Sequence, residues 1–109
     1  MGGEERRRHP RSKAPRDLFV AWQTGATQAV SRLDTIAVGG LFIRTSAPPA
    51  RQSMLQVLVE APMGDVRARA VVRWAEPKKG MGVEFVAMTQ EDRGRLLQYI
   101  RRLRTASSA

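Results

Sequence analysis

The chain has 109 residues, a formal charge of +9 from 19 Lys and Arg against 10 Asp and Glu, and no cysteine. That length suits one compact domain with one modest core, and a hydrophobic share of 42% is that of a globular chain rather than a disordered one. Lack of cysteine excludes disulfides and thiolate chemistry and fits a cytoplasmic setting. No apolar run approaches the roughly 20 residues that cross a bilayer, and the start, Met1 to Glu5, lacks an apolar signal core. Neither membrane insertion nor export is expected.

The positive charge is gathered at two places. Arg6, Arg7, Arg8, Arg11, Lys13 and Arg16 crowd the N-terminus, and Arg93, Arg95, Arg101, Arg102 and Arg104 mark the C-terminal part. Such clustering favours an anionic partner. Arginine outnumbers lysine, and its planar fork can pair bidentately with a phosphate or a guanine edge.

Taken in chain order, residues 1–16 have almost no apolar content, and Pro10 and Pro15 oppose a helix. They read as a basic arm, mobile unless a ligand pins it. Residues 17–88 read as a succession of strands. Leu18, Val20 and Trp22 alternate with Phe19, Ala21 and Gln23, and Gly25 interrupts the run. Gln28 to Ile36 is a more polar extended segment. The pair Gly39-Gly40 suggests a tight turn or bulge before Leu41-Phe42-Ile43. Pro48 and Pro49 mark a loop. Leu55, Val57 and Val59 share one strand face, and Pro62-Met63-Gly64-Asp65 has turn chemistry. In the next strand Val66, Ala68, Ala70, Val72 and Trp74 point one way, with Arg67, Arg69 and Arg73 opposite. Lys78-Lys79-Gly80 makes a turn, and Met81, Val83 and Phe85 supply a last strand.

The period then changes. Leu96, Ile100 and Leu103 form one helical stripe with Leu97 beside them. Thr89 and Asp92 imitate a capping box, and the late arginines suit a helix C-terminus. A helix is expected over residues 89–105, followed by a short tail, 106–109. Short strands at regular spacing and one closing helix predict an all-β barrel or sandwich with a C-terminal α-helix, in a single domain over residues 1–109.

Little here resembles an enzyme. The one histidine, His9, lies in the basic arm, and without cysteine no metal constellation of ordinary spacing exists. Carboxylates are scattered, and Glu91-Asp92 is explained by capping and the helix dipole. Gly80-Met81-Gly82 precedes a strand, which is wrong for a phosphate-binding loop. A binding module is expected, with no catalytic residue, metal or cofactor.

Two segments belong together: the arm Arg7-x-x-x-Arg11 and the stretch Thr35-Ile36-Ala37-Val38-Gly39-Gly40. With Ala70-Val71-Val72-Arg73-Trp74, Gly80-Met81-Gly82-Val83-Glu84-Phe85 and the terminal helix, they make the chain resemble the PilZ domain family, defined by an R-x-x-x-R arm and a D/N-x-S-x-x-G turn. The resemblance covers nearly the whole chain. It implies a six-stranded antiparallel β-barrel and cyclic di-GMP as ligand, with the arm wrapping it. Carried over, the ligand-binding residues are Arg6, Arg7, Arg8, Arg11, Thr35, Ala37, Gly40 and Trp74.

Two positions depart from that pattern. Thr35 stands where the family has an acid or amide, and Ala37 where it has serine. Asp34 is one residue upstream, which by strict strand alternation puts it on the opposite face. Trp74 is in phase with Ala70 and Val72, which predicts a core position, whereas the resemblance predicts stacking on a guanine. The expected function is therefore a cyclic di-GMP receptor that relays ligand occupancy to a protein partner. The alternative is a PilZ domain that no longer binds nucleotide and serves as an adaptor in motility or polarity control. No DNA or RNA partner is expected, since no DNA-reading module is visible and aromatic residues are only 6%.

Overall fold

The computed structural model of the chain describes residues 12–108. These form seven strands and one helix: β1 (Ser12–Lys13), β2 (Phe19–Thr24), β3 (Thr27–Ile36), β4 (Gly40–Arg44), β5 (Met54–Ala61), β6 (Gly64–Glu76), β7 (Gly80–Ala87) and α1 (Gln90–Ser108). All pairings are antiparallel. The order β3-β2-β5-β6-β7-β4, with β4 pairing back to β3, closes a six-stranded barrel. Closure leaves no open edge among those six. The short β1 adds to β3 from outside the ring, with Ser12 opposite Ile36 and Lys13 opposite Thr35.

The inward set obeys the period-two pattern of the sequence. Leu18, Val20 and Trp22, then Leu33 and Ile36, Leu41 and Ile43, Leu55, Val57 and Val59, Val66, Ala70 and Val72, and Met81 and Val83 make one buried cluster. Each large aliphatic side chain taken from water into it contributes about 1.5–3 kcal/mol. Trp22 is core, and its indole Nε1–H donates to Ser31 Oγ at 3.0 Å.

The turns are tight. Thr24 pairs with Thr27 around Gly25, whose φ is +55°, and Ala61 pairs with Gly64 around Pro62-Met63. The β6–β7 loop is closed by the Lys79 N–H on the Glu76 carbonyl at 2.9 Å.

The helix joins this core through Leu96, Tyr99 and Ile100, with Leu103 partly buried. Leu97 differs from the expected stripe: it is exposed, and Tyr99 takes the inward place. Burial and the negative charge of Asp17 raise the Tyr99 phenol above its ordinary range. Thr89 caps α1 by accepting the Asp92 N–H at 3.0 Å. Asp92 returns the bond differently from a standard capping box. Its carboxylate takes the Thr89 hydroxyl at 2.7 Å and the Arg67 backbone N–H at 3.2 Å, tying the helix start to β6. Those bonds, the Thr89 hydroxyl foremost, hold the Asp92 carboxyl below its ordinary value despite burial.

The helix also runs on to Ser108, past the expected end at residue 105. Arg101, Arg102 and Arg104 therefore stand before its last turn, which carries no basic side chain.

Candidate functional site

The predicted arginine arm, Arg6, Arg7, Arg8 and Arg11, lies outside the described residues. The segment after it is described. β1 carries the chain along β3, and the Ala14 N–H donates to the Asp34 carbonyl at 3.0 Å. The described chain thus starts beside the C-terminal end of β3, where the motif turn begins.

That turn is a hairpin. Ala37 and Gly40 exchange backbone bonds of 3.0 and 3.4 Å across Val38-Gly39, and the Phe85 N–H donates to the Gly39 carbonyl at 2.9 Å. Neither Gly39 nor Gly40 has a positive φ. Gly40 is required by approach instead: a Cβ there would sit 2.1 Å from the Val83 carbonyl oxygen. Ala37 is buried, at 8% exposure.

The bulge that the glycine pair suggested lies elsewhere. In β3 the register slips between Leu33 and Thr35, so that Asp34 is the extra residue against β4. Leu33 and Ile36 both belong to the core cluster, while Asp34 and Thr35 between them are both partly exposed. Two consecutive side chains therefore face outward, and the alternation that put Asp34 opposite Thr35 fails here. A bulge adds one residue to one strand and lets its neighbours share a face.

The same device recurs in β6. The register slips between Val72 and Trp74, so Arg73 and Trp74 both face outward while Val72 stays in the core. The expectation of a core Trp74 is thus corrected: the extra residue shifts its phase, and it is 37% exposed.

Between β3 and β6 lie β4 and β7. Their inward residues are Leu41, Ile43, Met81 and Val83, so Gly40, Phe42, Arg44, Gly80, Gly82 and Glu84 line the outside. The result is a panel with a glycine floor. Trp74 covers Gly82, where a Cβ would fall 2.1 Å from its ring, and the Phe42 ring blocks Gly80 at 2.7 Å. Charged groups border the aromatic pair. Asp34 pairs with Arg44 at 3.5 Å. Arg73 pairs with Glu84 and reaches Gln52 Oε1 at 3.4 Å.

Of the predicted site residues, Thr35, Gly40 and Trp74 share this panel, with the buried Ala37 in the turn at its end. Sequence reading missed Phe42, Arg44, Arg73 and Glu84 as panel members, and it misassigned the face of Asp34. One signal was available: Gly82 opposite an aromatic residue leaves room for a ring to lie over the strand. A separate groove, of about 1070 Å³, lies over β2, the first half of β3, β5 and β6, and its polar lining includes Gln23, Gln28, Gln56, Arg67 and Arg69. No panel residue lines it, and none of the turn residues does so either. The panel is therefore the better candidate. Among the described residues no cluster of His, Cys, Asp and Glu suited to a metal is present, and no helix is long and apolar enough to cross a membrane.

A closed six-stranded barrel with a terminal helix, and a short strand laid on β3 next to a glycine turn, defines a class of small domain. The chain belongs to the PilZ domain family, whose model matches residues 5–102. It is similar in fold to the Bacillus subtilis inhibitor of motility MotI/DgrA, with 26% identity and a TM-score of 0.73 over 89% of this chain and 51% of that one. It is also similar to Escherichia coli YcgR solved in complex with c-di-GMP, at 19% identity and a TM-score of 0.78 over 94% of this chain and 48% of that one. The isolated PilZ domain of YcgR with c-di-GMP matches at 18% identity and a TM-score of 0.73, over 94% of each chain. The chain thus spans about half the length of MotI/DgrA and of the longer YcgR chain. No curated protein sequence matches it significantly.

Proposed function

We propose that this PilZ domain is a non-enzymatic receptor that binds cyclic di-GMP between its arginine arm and the outer panel, and that it relays occupancy to a protein partner. The observation that supports this is the pairing of β1 with β3, Lys13 opposite Thr35, at the edge of the panel. Arg7 and Arg11 take the phosphates and the guanine O6 and N7 acceptors, for which an arginine fork is the matching donor. Trp74, backed by the buried Phe42 ring, supplies an apolar border against which a base can lie. The relay has a physical route, since β1 touches α1 as well as β3. A ligand held next to β1 changes what the helix packs against.

Isothermal titration with cyclic di-GMP at physiological salt tests the reading. Heat, together with amide shifts at Gly40 and Thr35, is the expected result. No heat and no shift up to high micromolar ligand would remove it.

The second reading is a PilZ adaptor without nucleotide binding. Ala37 favours it: the side chain is buried and has no polar group. On this reading the parent is silent in the titration, and T35D combined with A37S creates binding. Tight binding by the parent ends it.

A further inference from the structure

Away from the panel, side chains of β2, β3, β5 and β6 stand in two straight rows. In the first, Gln28, Gln23, Gln56 and Arg69 lie opposite one another, strand by strand. In the second, Val30, Ala21, Leu58 and Arg67 do the same. Every member of both rows lines the groove of about 1070 Å³. We infer that this groove docks an extended segment of a partner protein, apolar at one end and rich in carboxylates at the other. The inference rests on the protein partner common to both readings above, and not on nucleotide binding.

The rows are polarised. Toward β3 they are neutral, and Val30 is 71% exposed, apolar surface that a partner side chain takes out of water. Toward β6 they are cationic, and among the described residues the Arg67 and Arg69 side chains have no hydrogen-bond or ion-pair partner. One carboxylate lines the groove, that of Asp92, and the Thr89 hydroxyl, the Arg67 N–H and Arg95 already occupy it. Carboxylates of a partner supply the missing complement. The side chains of Gln23, Gln28 and Gln56 are also unpartnered among the described residues. Each amide both donates and accepts, as the main chain of an extended segment requires.

The shape selects a segment over a second copy of this chain. Four strands span about 14 Å, and two rows make a strip far smaller than the ~800 Å² that each partner buries at a standard interface. In a symmetric pair the same patch has to answer its own arginines, and the groove holds no free carboxylate for them. Glu60 opposite Asp65 starts the next row, outside the groove. That row repels an acidic segment and keeps its carboxylates over Arg67 and Arg69.

The probe is a capped peptide of leucines followed by aspartates, titrated into the isotope-labelled full chain. The control peptide carries lysines in place of the aspartates. Amide shifts at Ala21, Val30, Leu58 and Arg69 are expected with the acidic peptide alone, fading as salt rises. V30D and R69E should each weaken it by about tenfold or more, with thermal melts confirming the fold. No shift up to about millimolar peptide, equal shifts with the control, or shifts centred on the arginines of α1 would overturn the inference. So would sedimentation that shows a dimer dissolved by V30D, which gives the groove to a second copy. Cyclic di-GMP is titrated separately. If the parent ignores it while the peptide still shifts the groove, the receptor reading falls and the docking site stands.

Discussion

Phe42 and Trp74 face one another across Gly82, ring centroids 6.3 Å apart and tilted by 32°. Both pair in register with that glycine, Phe42 from β4 and Trp74 from β6. The missing side chain on the middle strand is what lets them meet. Offset pairs of this kind contribute about 0.5–1.5 kcal/mol beyond their buried area. G82A places a methyl 2.1 Å from the indole ring. The indole is partly exposed and can swing away, so the expected cost is about 1–2 kcal/mol. Urea denaturation measures that cost, and a shift in tryptophan emission reports the displaced ring. An unchanged spectrum would mean that Trp74 does not rest on Gly82.

Gly40 behaves differently because its neighbour cannot move aside. The added methyl of G40A meets the Val83 carbonyl oxygen, which is backbone in the β4–β7 pair. We expect a loss of about 2–3 kcal/mol or more, larger than for G82A. The comparison of the two midpoints is the check. Equal losses would show that β4 and β7 separate without cost.

Asp92 links acid stability to the helix. Its folded value lies below the ordinary carboxyl value of 3.8. A depressed group contributes stability that is present above its unfolded value and is lost as pH falls through the folded one. Wild type should therefore lose the Asp92 contribution as pH falls below about 3.8, and D92N should weaken that dependence. At neutral pH, D92A removes the acceptor of the Thr89 hydroxyl and the Arg67 N–H, costing about 1–3 kcal/mol. Circular dichroism melts from about pH 2.5 to about pH 7 bracket the transition and read both effects.

The arm is tested by R7A and R11A. Each removes a fork that pairs with phosphate or a guanine edge, and each should weaken cyclic di-GMP by about tenfold or more. Affinity should also become less sensitive to salt, because fewer cations meet the phosphates. A thermal melt of each variant checks that the fold is kept. Titration at two salt concentrations provides the measurement.

The strands from Phe19 to Ala87 were legible because one side of each is buried, so apolar residues recur every second position. The helix was legible for the same reason at its own period, as Leu96, Ile100 and Leu103 show. The ligand panel was only partly legible. Asp34 and Trp74 were assigned to the wrong faces by strict alternation, since nothing in Leu33-Asp34-Thr35 or Val72-Arg73-Trp74 marks an extra residue. Leu97 was drawn into the stripe by its hydrophobicity, although Tyr99 fits the buried angle.

Residue order alone determined which segments extend, which one coils, and where the cationic leader precedes a glycine turn, because these depend on local periodicity and turn chemistry. Tertiary structure decided where the bulges at Asp34 and Arg73 fall. Closing six twisted strands on themselves requires local adjustments of curvature and register, and those depend on neighbours distant in the chain. The outward pairs Asp34 with Thr35 and Arg73 with Trp74 exist only once the ring is shut.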